Sequence, residues 1–235
     1  MKSKMASCLL ALALILLPSF APAGAESNLN GQTGNIPVLT LIGHASMKIK
    51  TAEGIVIYID PYYEGDYSEK ADIILVSHEH SDHNVVGLCK KNEGCVILTV
   101  KETINKKDNS YNTFDYFGVK IEPVAAANKN HSIKSTTGFV LTFDGIVLYH
   151  AADTSKLDQM ADLKMKNIDY AFFPIDGKYN MGAGEAMECA QMVGARHNTP
   201  IHYFNASPAD FTPENLLSIA YGETIELMTE SGKPL

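Results

Sequence analysis

The sequence predicts an α/β protein with β-sheets inside and helices outside. Short β-rich runs separated by turns fill most of the first half of the chain, and strands followed by helices occur in both halves. No segment repeats at a fixed short period, so a repeat array is not expected. About 210 residues remain after a predicted N-terminal signal segment, which suits one domain with a sizeable core and is short for two.

Three consecutive strands open the predicted domain, and the turn Gly43-His44-Ala45 separates the first two. A fourth, apolar strand follows and runs into a polar loop. Beyond that loop the pattern predicts a short helix, another strand and a Lys/Asn-rich segment that is either helix or loop. In order, these strands are 38–42, 46–50, 54–59, 72–76 and 95–100, the short helix is 85–91, and the undecided segment is 101–109.

The second half contains the strongest short-range hairpin signal of the chain, Asp144-Gly145 between two apolar runs. Two strands precede the hairpin, and helices alternate with single strands after it. This alternation is typical of a layered α/β architecture. The predicted strands are 111–116, 119–124, 137–143, 146–150, 170–173 and 200–203, and the predicted helices are 155–165, 184–193 and 208–220.

The first 25 residues are predicted to be a signal peptide. Lys2 and Lys4 precede an apolar core at 6–17, and the small residues Ala23-Gly24-Ala25 predict cleavage before Glu26. The core is shorter than the roughly 20 residues of a bilayer span. We therefore expect export to the periplasm or the extracellular space, with an uncleaved anchor as the alternative. A flexible lead-in at 26–36 and a folded domain at 37–235 follow.

The chain is acidic, with a formal net charge of −8. An acidic surface disfavours sequence-independent binding to nucleic acid and to anionic lipid. We expect a small-molecule substrate, no nucleic-acid partner and no membrane span after signal cleavage, and the oligomeric state stays open.

Three cysteines follow the signal segment, at positions 89, 95 and 189. Cys89 and Cys95 are close enough in sequence to pair across the turn between them, and buried free thiols are the alternative. None of the three has the spacing of a thiolate metal site.

A histidine-rich run follows the apolar strand at 72–76, and it predicts a metal site. His78 and His80 are two residues apart on an extended segment, so their side chains point the same way and can bind one ion together. Asp82 and His83 fall on the turn that leaves the strand and indicate a second ion. Imidazole with carboxylate is a donor mixture that zinc prefers. A surface loop that binds metal adventitiously is the alternative, but the position at a strand end favours a built site.

Two ions need more donors than this loop provides, and three later residues stand at strand ends or in loops. His131 lies in the loop after the strand ending at 124, Asp153 follows the second strand of the hairpin, and His202 lies in the short strand 200–203. Each can reach the same sheet edge.

On these residues the chain resembles the metallo-β-lactamase superfamily, whose signature is the His-x-His-x-Asp-His loop, present here from His78 to His83. More narrowly, it resembles metal-dependent hydrolases akin to ascorbate-6-phosphate lactonase and the acyl-phosphatidylethanolamine phosphodiesterases. Their opening Leu-Gly-His motif matches Leu41-Ile42-Gly43-His44, with Ile42 in between. The resemblance extends from about residue 38 to residue 204 and implies a four-layer αββα sandwich with a binuclear site in a cleft at the sheet edges.

The resemblance also implies how the metal ligands are shared. One metal would take His78, His80 and His131, the other would take Asp82, His83 and His202, and Asp153 would bridge both. The family usually has Gly where this chain has Ala152, and His131 lies in the least well aligned stretch.

Some nearby residues have two interpretations. Asp60 resembles the family's buried aspartate that orients a ligand, or it only forms a turn before Pro61. His44 polarises the site or contacts substrate, or it only satisfies backbone groups of its turn. Two loop segments either line the cleft or are ordinary loop residues: Tyr62-Tyr63 and residues 178–181.

The expected chemistry is hydrolysis by a metal-bridging hydroxide, with Asp82 as the catalytic residue that binds metal and accepts a hydrogen bond from the nucleophile. The expected bond is an ester, lactone or phosphodiester. Two divalent ions are expected, zinc first, with manganese or iron as alternatives. The other functions considered are a metal-binding member without turnover and, less favoured, a β-lactamase.

Overall fold

The computed structural model describes residues 35–229, which form two six-stranded β-sheets packed against each other. The first sheet has the order β12-β1-β2-β3-β4-β5 and the second β11-β10-β9-β8-β7-β6. The strands are β1 (Val38–Gly43), β2 (Ser46–Lys50), β3 (Val56–Ile59), β4 (Ala71–Leu75), β5 (Lys91–Leu98), β6 (Phe114–Tyr116), β7 (Val119–Ala125), β8 (Thr137–Phe143), β9 (Ile146–His150), β10 (Tyr170–Pro174), β11 (His197–Ile201) and β12 (Thr224–Glu226). The helices are α1 (Val100–Thr103) and α2 (Ala183–Val193), with 3₁₀ helices at Val86–Leu88, Asp158–Lys166 and Pro208–Asp210.

Both sheets are mixed, and their parallel strands place the polar loops at one edge. In the first sheet β3, β4 and β5 are parallel, and in the second β9, β10 and β11 are parallel. The pairings of β1 and β7 give them the same direction as these strands. The carboxyl ends of parallel strands meet at one edge of a sheet, which is where open α/β sheets place their ligands.

The core between the sheets is built by alternate apolar residues on the inner face of each strand. Each such side chain, once fully buried, stabilises the fold by about 1.5 to 3 kcal/mol relative to exposure. Fully buried members include Leu39, Leu41, Ile49, Ile57, Ile73, Phe139, Leu141 and Phe172. This arrangement confirms the predicted α/β sandwich.

Helix α2 covers the outer face of the second sheet. Its buried residues Ala186, Cys189, Ala190 and Val193 follow helical spacing, so they form one apolar stripe. The helix ends at Gly194, whose φ of 68° suits glycine and whose N–H donates to the carbonyl of Ala190. The predicted helix at 184–193 is therefore confirmed.

The outer face of the first sheet is covered differently. Tyr58 and Ile74 pack there against Tyr67, from the loop after β3, and against Cys89, which follows the 3₁₀ helix Val86–Leu88. One turn of 3₁₀ helix thus replaces the predicted helix at 85–91, and β5 begins soon after it.

The hairpin of β8 and β9 has the expected turn. Asp144 and Gly145 both have positive φ, 48° and 70°, as a two-residue type I′ turn requires.

The predicted helix at 208–220 is wrong. Only Pro208–Asp210 is helical, as one 3₁₀ turn, and Pro213 then removes a helical N–H. Beyond it the chain runs beside β11, where Asn198 donates its N–H to Asn215 and accepts one from Leu217. Pairing with the sheet edge satisfies this backbone in place of a helix.

Other boundaries also differ from the prediction. The helix expected at 155–165 is the 3₁₀ helix Asp158–Lys166. The undecided segment 101–109 contains the end of α1, the isolated bridge residue Ile104 and turns. Strand β11 lies at His197–Ile201 rather than at 200–203, and β12 was not predicted.

The predicted signal peptide and most of the lead-in lie outside the described residues. Cys89, Cys95 and Cys189 are free thiols, so Cys89 and Cys95 are not paired in this structure. The alternative of a buried free thiol holds for Cys89, whereas Cys95 is only half-buried. Between residues 35 and 229 there is no helix with the length and apolar character needed to cross a membrane.

Candidate metal centre

The seven predicted metal ligands lie together at the shared edge of the two sheets. The first four follow β4, where the chain turns away from the first sheet. The other three come from the loops after β7, β9 and β11 of the second sheet. These residues are His78, His80, Asp82, His83, His131, Asp153 and His202, and all except His80 and Asp82 are buried.

The first donor set consists of three imidazoles. Ligand atoms of His78, His80 and His131 all lie within 4.8 Å of one another. Nε2 of His131 is 3.2 Å from Nδ1 of His80, so two imidazole nitrogens face each other. A proton on one of them, or a cation between them, is needed to offset the repulsion of two nitrogen lone pairs.

The second donor set contains the expected Asp82, His83 and His202 together with His44, again with all ligand atoms within 4.8 Å. His44 comes from the turn between β1 and β2. The rings of His44 and His202 have centroids only 3.6 Å apart.

Asp153 stands between the two sets. Its Oδ1 is 3.4 Å from Nε2 of His83, and its Oδ2 is 3.4 Å from Nε2 of His131 and 3.5 Å from Nε2 of His202. Charge-assisted N–H···O bonds are shorter, about 2.7 to 2.9 Å. Two ligand atoms each about 2.1 Å from a tetrahedral ion lie about 3.4 Å apart. The separations therefore suit shared cations better than direct hydrogen bonds.

Several donor atoms at this edge are buried and have no hydrogen-bond partner among residues 35–229. They are Nε2 of His78 and His83, both ring nitrogens of His202, and Oδ1 of Asp153. An unpaired buried polar atom costs about 1 to 3 kcal/mol, and several in one place need a common partner. Divalent cations fit this set, because imidazole nitrogen and carboxylate oxygen are their ordinary ligands.

Two of the imidazoles are oriented from behind by Asp60 and Ser77. Nδ1 of His83 donates to Oδ2 of Asp60 over 2.9 Å, and the Ser77 hydroxyl donates to the same oxygen over 2.6 Å. Nδ1 of His78 lies 3.0 Å from the Ser77 oxygen, which can accept its proton. Each contact engages Nδ1, so that Nε2 faces the site and is the nitrogen that a metal would bind. Asp60 thus lies where an orienting aspartate would act.

Two further imidazoles, those of His131 and His202, lie beside polar residues that were not among the predicted site residues. Nδ1 of His131 lies 2.9 Å from Oδ1 of Asn128, and Nδ1 of His202 lies 3.1 Å from Oδ2 of Asp176. Asn180 joins these two supports, since it accepts from the Asn128 amide and donates to Asp176, each over 2.8 Å.

Electrostatics couple Asp60 to His83. Burial alone would raise the pKa of Asp60, but attraction to His83 and the hydrogen bond from it outweigh burial and lower the pKa to about 2. Burial alone would lower the pKa of His83, but Asp153 and Asp60 raise it to about 9. For His78, burial dominates and lowers the pKa to about 3, so this imidazole is neutral at pH 7.

Two other histidines lie outside the donor sets. Nε2 of His150 is 3.0 Å from the carbonyl of Ala45, and its Nδ1 accepts from the N–H of Ala152. His150 therefore ties β9 to the turn after β1. His197 stacks on Tyr170 away from the site. Ala152 has a φ of 58°, a conformation that favours glycine, which the resemblance places at this position.

A cleft of about 210 Å³ opens over the site. It is lined by His80, Asp82, Asn130, His131, Asp153, Tyr179 and His202. Tyr179 lines the cleft, as expected by one of the two interpretations of the segment 178–181. Tyr62 does not line the cleft and instead makes an edge-type ring contact with His44. A larger cavity of about 380 Å³ lies beside α2, and none of the predicted ligands lines it.

Comparisons with known proteins agree with this architecture. A family model described as a β-lactamase superfamily domain matches residues 38–202. A UPF0173 metal-dependent hydrolase of Anoxybacillus flavithermus is 30% identical over 224 residues, covering 80% of this chain and 99% of the relative. A second UPF0173 metal-dependent hydrolase, from Methanoculleus marisnigri, is 32% identical over 181 residues. The match covers 70% of this chain and 80% of the relative.

Solved structures show the same fold. A candidate metal-dependent hydrolase from Parabacteroides distasonis superimposes with a TM-score of 0.63 and 29% identity, covering 74% of this chain and 85% of the other. Igni18, a metallo hydrolase from Ignicoccus hospitalis, superimposes with a TM-score of 0.65 and 19% identity, covering 83% of this chain and 100% of the other. At this identity the similarity shows the fold alone. This chain therefore belongs to the metallo-β-lactamase superfamily, among the UPF0173 metal-dependent hydrolases.

Proposed function

We propose that this protein is an exported, binuclear metal-dependent hydrolase that cleaves an ester, lactone or phosphodiester bond in a small substrate. One observation carries the proposal: two donor sets lie side by side, and Asp153 stands within 3.5 Å of imidazoles from both. When bound, two such ions supply a water nucleophile of lowered pKa and polarise the oxygen under attack.

The residues divide the remaining work. His78, His80 and His131 would hold one ion, Asp82, His83 and His202 the other, and Asp153 would be shared. Asp60 and Ser77 fix which imidazole nitrogen stays free of a proton. Two divalent ions would also balance the negative charge of Asp82 and Asp153.

Asp82 is the proposed catalytic residue. Its side chain is 40% exposed and lines the cleft, whereas Asp153 is buried. A carboxylate in this position can accept a hydrogen bond from the attacking water and direct the water's lone pair at the substrate.

The cleft favours small substrates without a large negative charge. Its volume of about 210 Å³ is below the 300 to 1,000 Å³ range of sites for drug-sized ligands. No Lys or Arg is among the seven residues that line it. Only the ions would offset negative charge on a substrate, so esters and lactones fit more readily than phosphodiesters.

Metal identity and export are also part of the proposal. The donors are mostly imidazole nitrogen with two carboxylates, which suits zinc and also accepts manganese or iron. Export rests on the positive, apolar and small-residue regions of the first 25 residues.

Metal analysis followed by a substrate panel tests the proposal. Protein purified without added metal is loaded with Zn²⁺, Mn²⁺ or Fe²⁺ and assayed on a simple ester, a lactone, a phosphodiester and a cephalosporin. We expect two ions per chain and chelator-sensitive turnover of the ester or the lactone. Tight binding of two ions without turnover on any substrate would favour the metal-binding alternative. Turnover of the cephalosporin alone would favour a β-lactamase.

A further inference from the structure

We propose that His44 binds the second ion directly, beside Asp82, His83 and His202. The inference rests on the proposed binuclear function and adds a ligand to it. Its basis is the juxtaposition of Nε2 of His44 and Oδ2 of Asp82 within one four-residue donor set.

The backbone holds His44 against this set. His44 lies in the left-handed region, with a φ of 55°, in the turn after β1. Its carbonyl accepts the N–H of His202 over 2.9 Å, which fixes the two residues relative to each other. Gly43 precedes it with a φ of 148°, and a Cβ there would meet the ring of Tyr63. The turn is therefore packed into one position, and His44 is 8% exposed.

The distance between His44 and Asp82 distinguishes two roles. Nε2 of His44 lies 3.3 Å from Oδ2 of Asp82. A hydrogen bond that merely oriented an ionised Asp82 would be nearer 2.7 to 2.9 Å, whereas two ligands of one tetrahedral ion lie about 3.4 Å apart. The His44 distance matches those around Asp153, which are 3.4 to 3.5 Å.

This extra ligand would make the two metal positions unequal. The first has three imidazoles and the shared Asp153, while the second has His44, Asp82 and two further imidazoles besides Asp153. Both sets reach the cleft, His80 and His131 from the first and Asp82 and His202 from the second, whereas His44 does not line it.

Variants of position 44 separate ligation from hydrogen bonding. His44→Gln keeps an N–H donor but is a poor metal ligand, and His44→Cys offers a thiolate ligand without that donor. His197→Gln is the matched control, because His197 packs on Tyr170 outside the site. Wild type and variants are titrated with Co²⁺, the ions per chain are counted after dialysis, and visible and near-ultraviolet spectra are recorded. Circular dichroism verifies folding.

We expect wild type, His197→Gln and His44→Cys to bind two Co²⁺ ions, with a thiolate-to-cobalt charge-transfer band in His44→Cys alone. In His44→Gln the second ion should bind more than about 100-fold more weakly, beyond the 10- to 100-fold cost of losing an outer hydrogen-bonding partner. Two tightly bound ions in His44→Gln, or no charge-transfer band in folded His44→Cys, would overturn the assignment of His44 as a ligand. The binuclear proposal would stand in either case. A single ion in wild type would overturn the binuclear proposal as well.

Discussion

Asp60 and His83 form a pair with fully buried side chains in which Nδ1 of His83 donates to Oδ2 of Asp60 over 2.9 Å. Asp60 directly follows β3 and has a φ of 45°, and its carbonyl accepts from the Ser46 hydroxyl. Its other carboxylate oxygen accepts the N–H of Ser77 over 2.7 Å. The aspartate thus links the ends of β3 and β4 and sets the orientation of the imidazole that would bind metal.

Replacing Asp60 with Asn should weaken metal binding. The amide NH₂ cannot accept the protons that Oδ2 now receives from His83 and Ser77, so the His83 ring loses its fixed tautomer. We expect affinity to fall by about 10- to 100-fold, measured by competition with a chromophoric chelator. Asp115→Asn, on an exposed position of β6, is the control. Equal affinities in both variants would show that Asp60 is only a turn residue.

Metal loading should depend on pH through His83. Asp153 and Asp60 outweigh burial and raise the pKa of His83 from the usual 6.5 to about 9. Protonated His83 therefore stabilises the protein stripped of metal below about pH 6.5, and this stability is lost as the pH rises through 9. Metal binding must displace the same proton, so affinity should rise over this range and then level off.

Two titrations check the pH dependence. Urea unfolding of metal-stripped protein at pH 6.5 and pH 9.5 should give the lower free energy of unfolding at the higher pH. Chelator competition should give the higher zinc affinity there. Zinc affinity that does not change with pH would contradict the assignment of His83 as a ligand.

Removing single donors should strip metal without unfolding the protein. His80 is exposed, so His80→Ala removes a donor and leaves the core untouched. We expect His80→Ala to lose the first ion and turnover. Asp153→Ala removes the shared carboxylate and should release both ions. Plasma emission counts the metal, and thermal melts of metal-stripped protein test folding. The control is Glu79→Ala, an exposed neighbour that bonds Asn84. Unchanged metal content and turnover in His80→Ala would remove His80 from the donor set.

Local pattern was sufficient to predict which residues lie close together at this edge. His78 and His80 lie in bends just after β4 rather than on the predicted extended segment, and their ligand atoms still come together in one donor set. Asp153 follows a predicted strand and His202 lies within one, and parallel strands of both sheets do end at this edge. The prediction needed no knowledge of the packing of the two sheets.

Long-range pairing was beyond the sequence. The segment after Pro208 has apolar residues at near-helical spacing, yet its backbone pairs with β11, and only the finished sheet provides that edge. Asp176-Gly177 is typical of a turn, and Asp176 does accept the N–H groups of Lys178 and Tyr179. Its second role, beside His202, depends on how β10 and β11 align. Nothing in the local sequence indicates that alignment.

The two supports missed by the sequence analysis should affect different ions. Asn128→Ala removes the acceptor for Nδ1 of His131 and should weaken the first ion, whereas Asp176→Ala removes the carboxylate beside His202 and should weaken the second. We expect a loss of about 10- to 100-fold in each case, read from stepwise Co²⁺ titrations with separate spectra for the two ions.

Because Asn180 bonds both supports, the effects of the two substitutions should not be additive. The double variant Asn128→Ala/Asp176→Ala should lose less affinity than the sum of the single losses, since each single change already frees Asn180. Asn105→Ala, in a turn before β6, controls for loss of a loop asparagine. Additive losses, or losses at the same ion in both single variants, would show that the two imidazoles are positioned independently of this hydrogen-bonded chain.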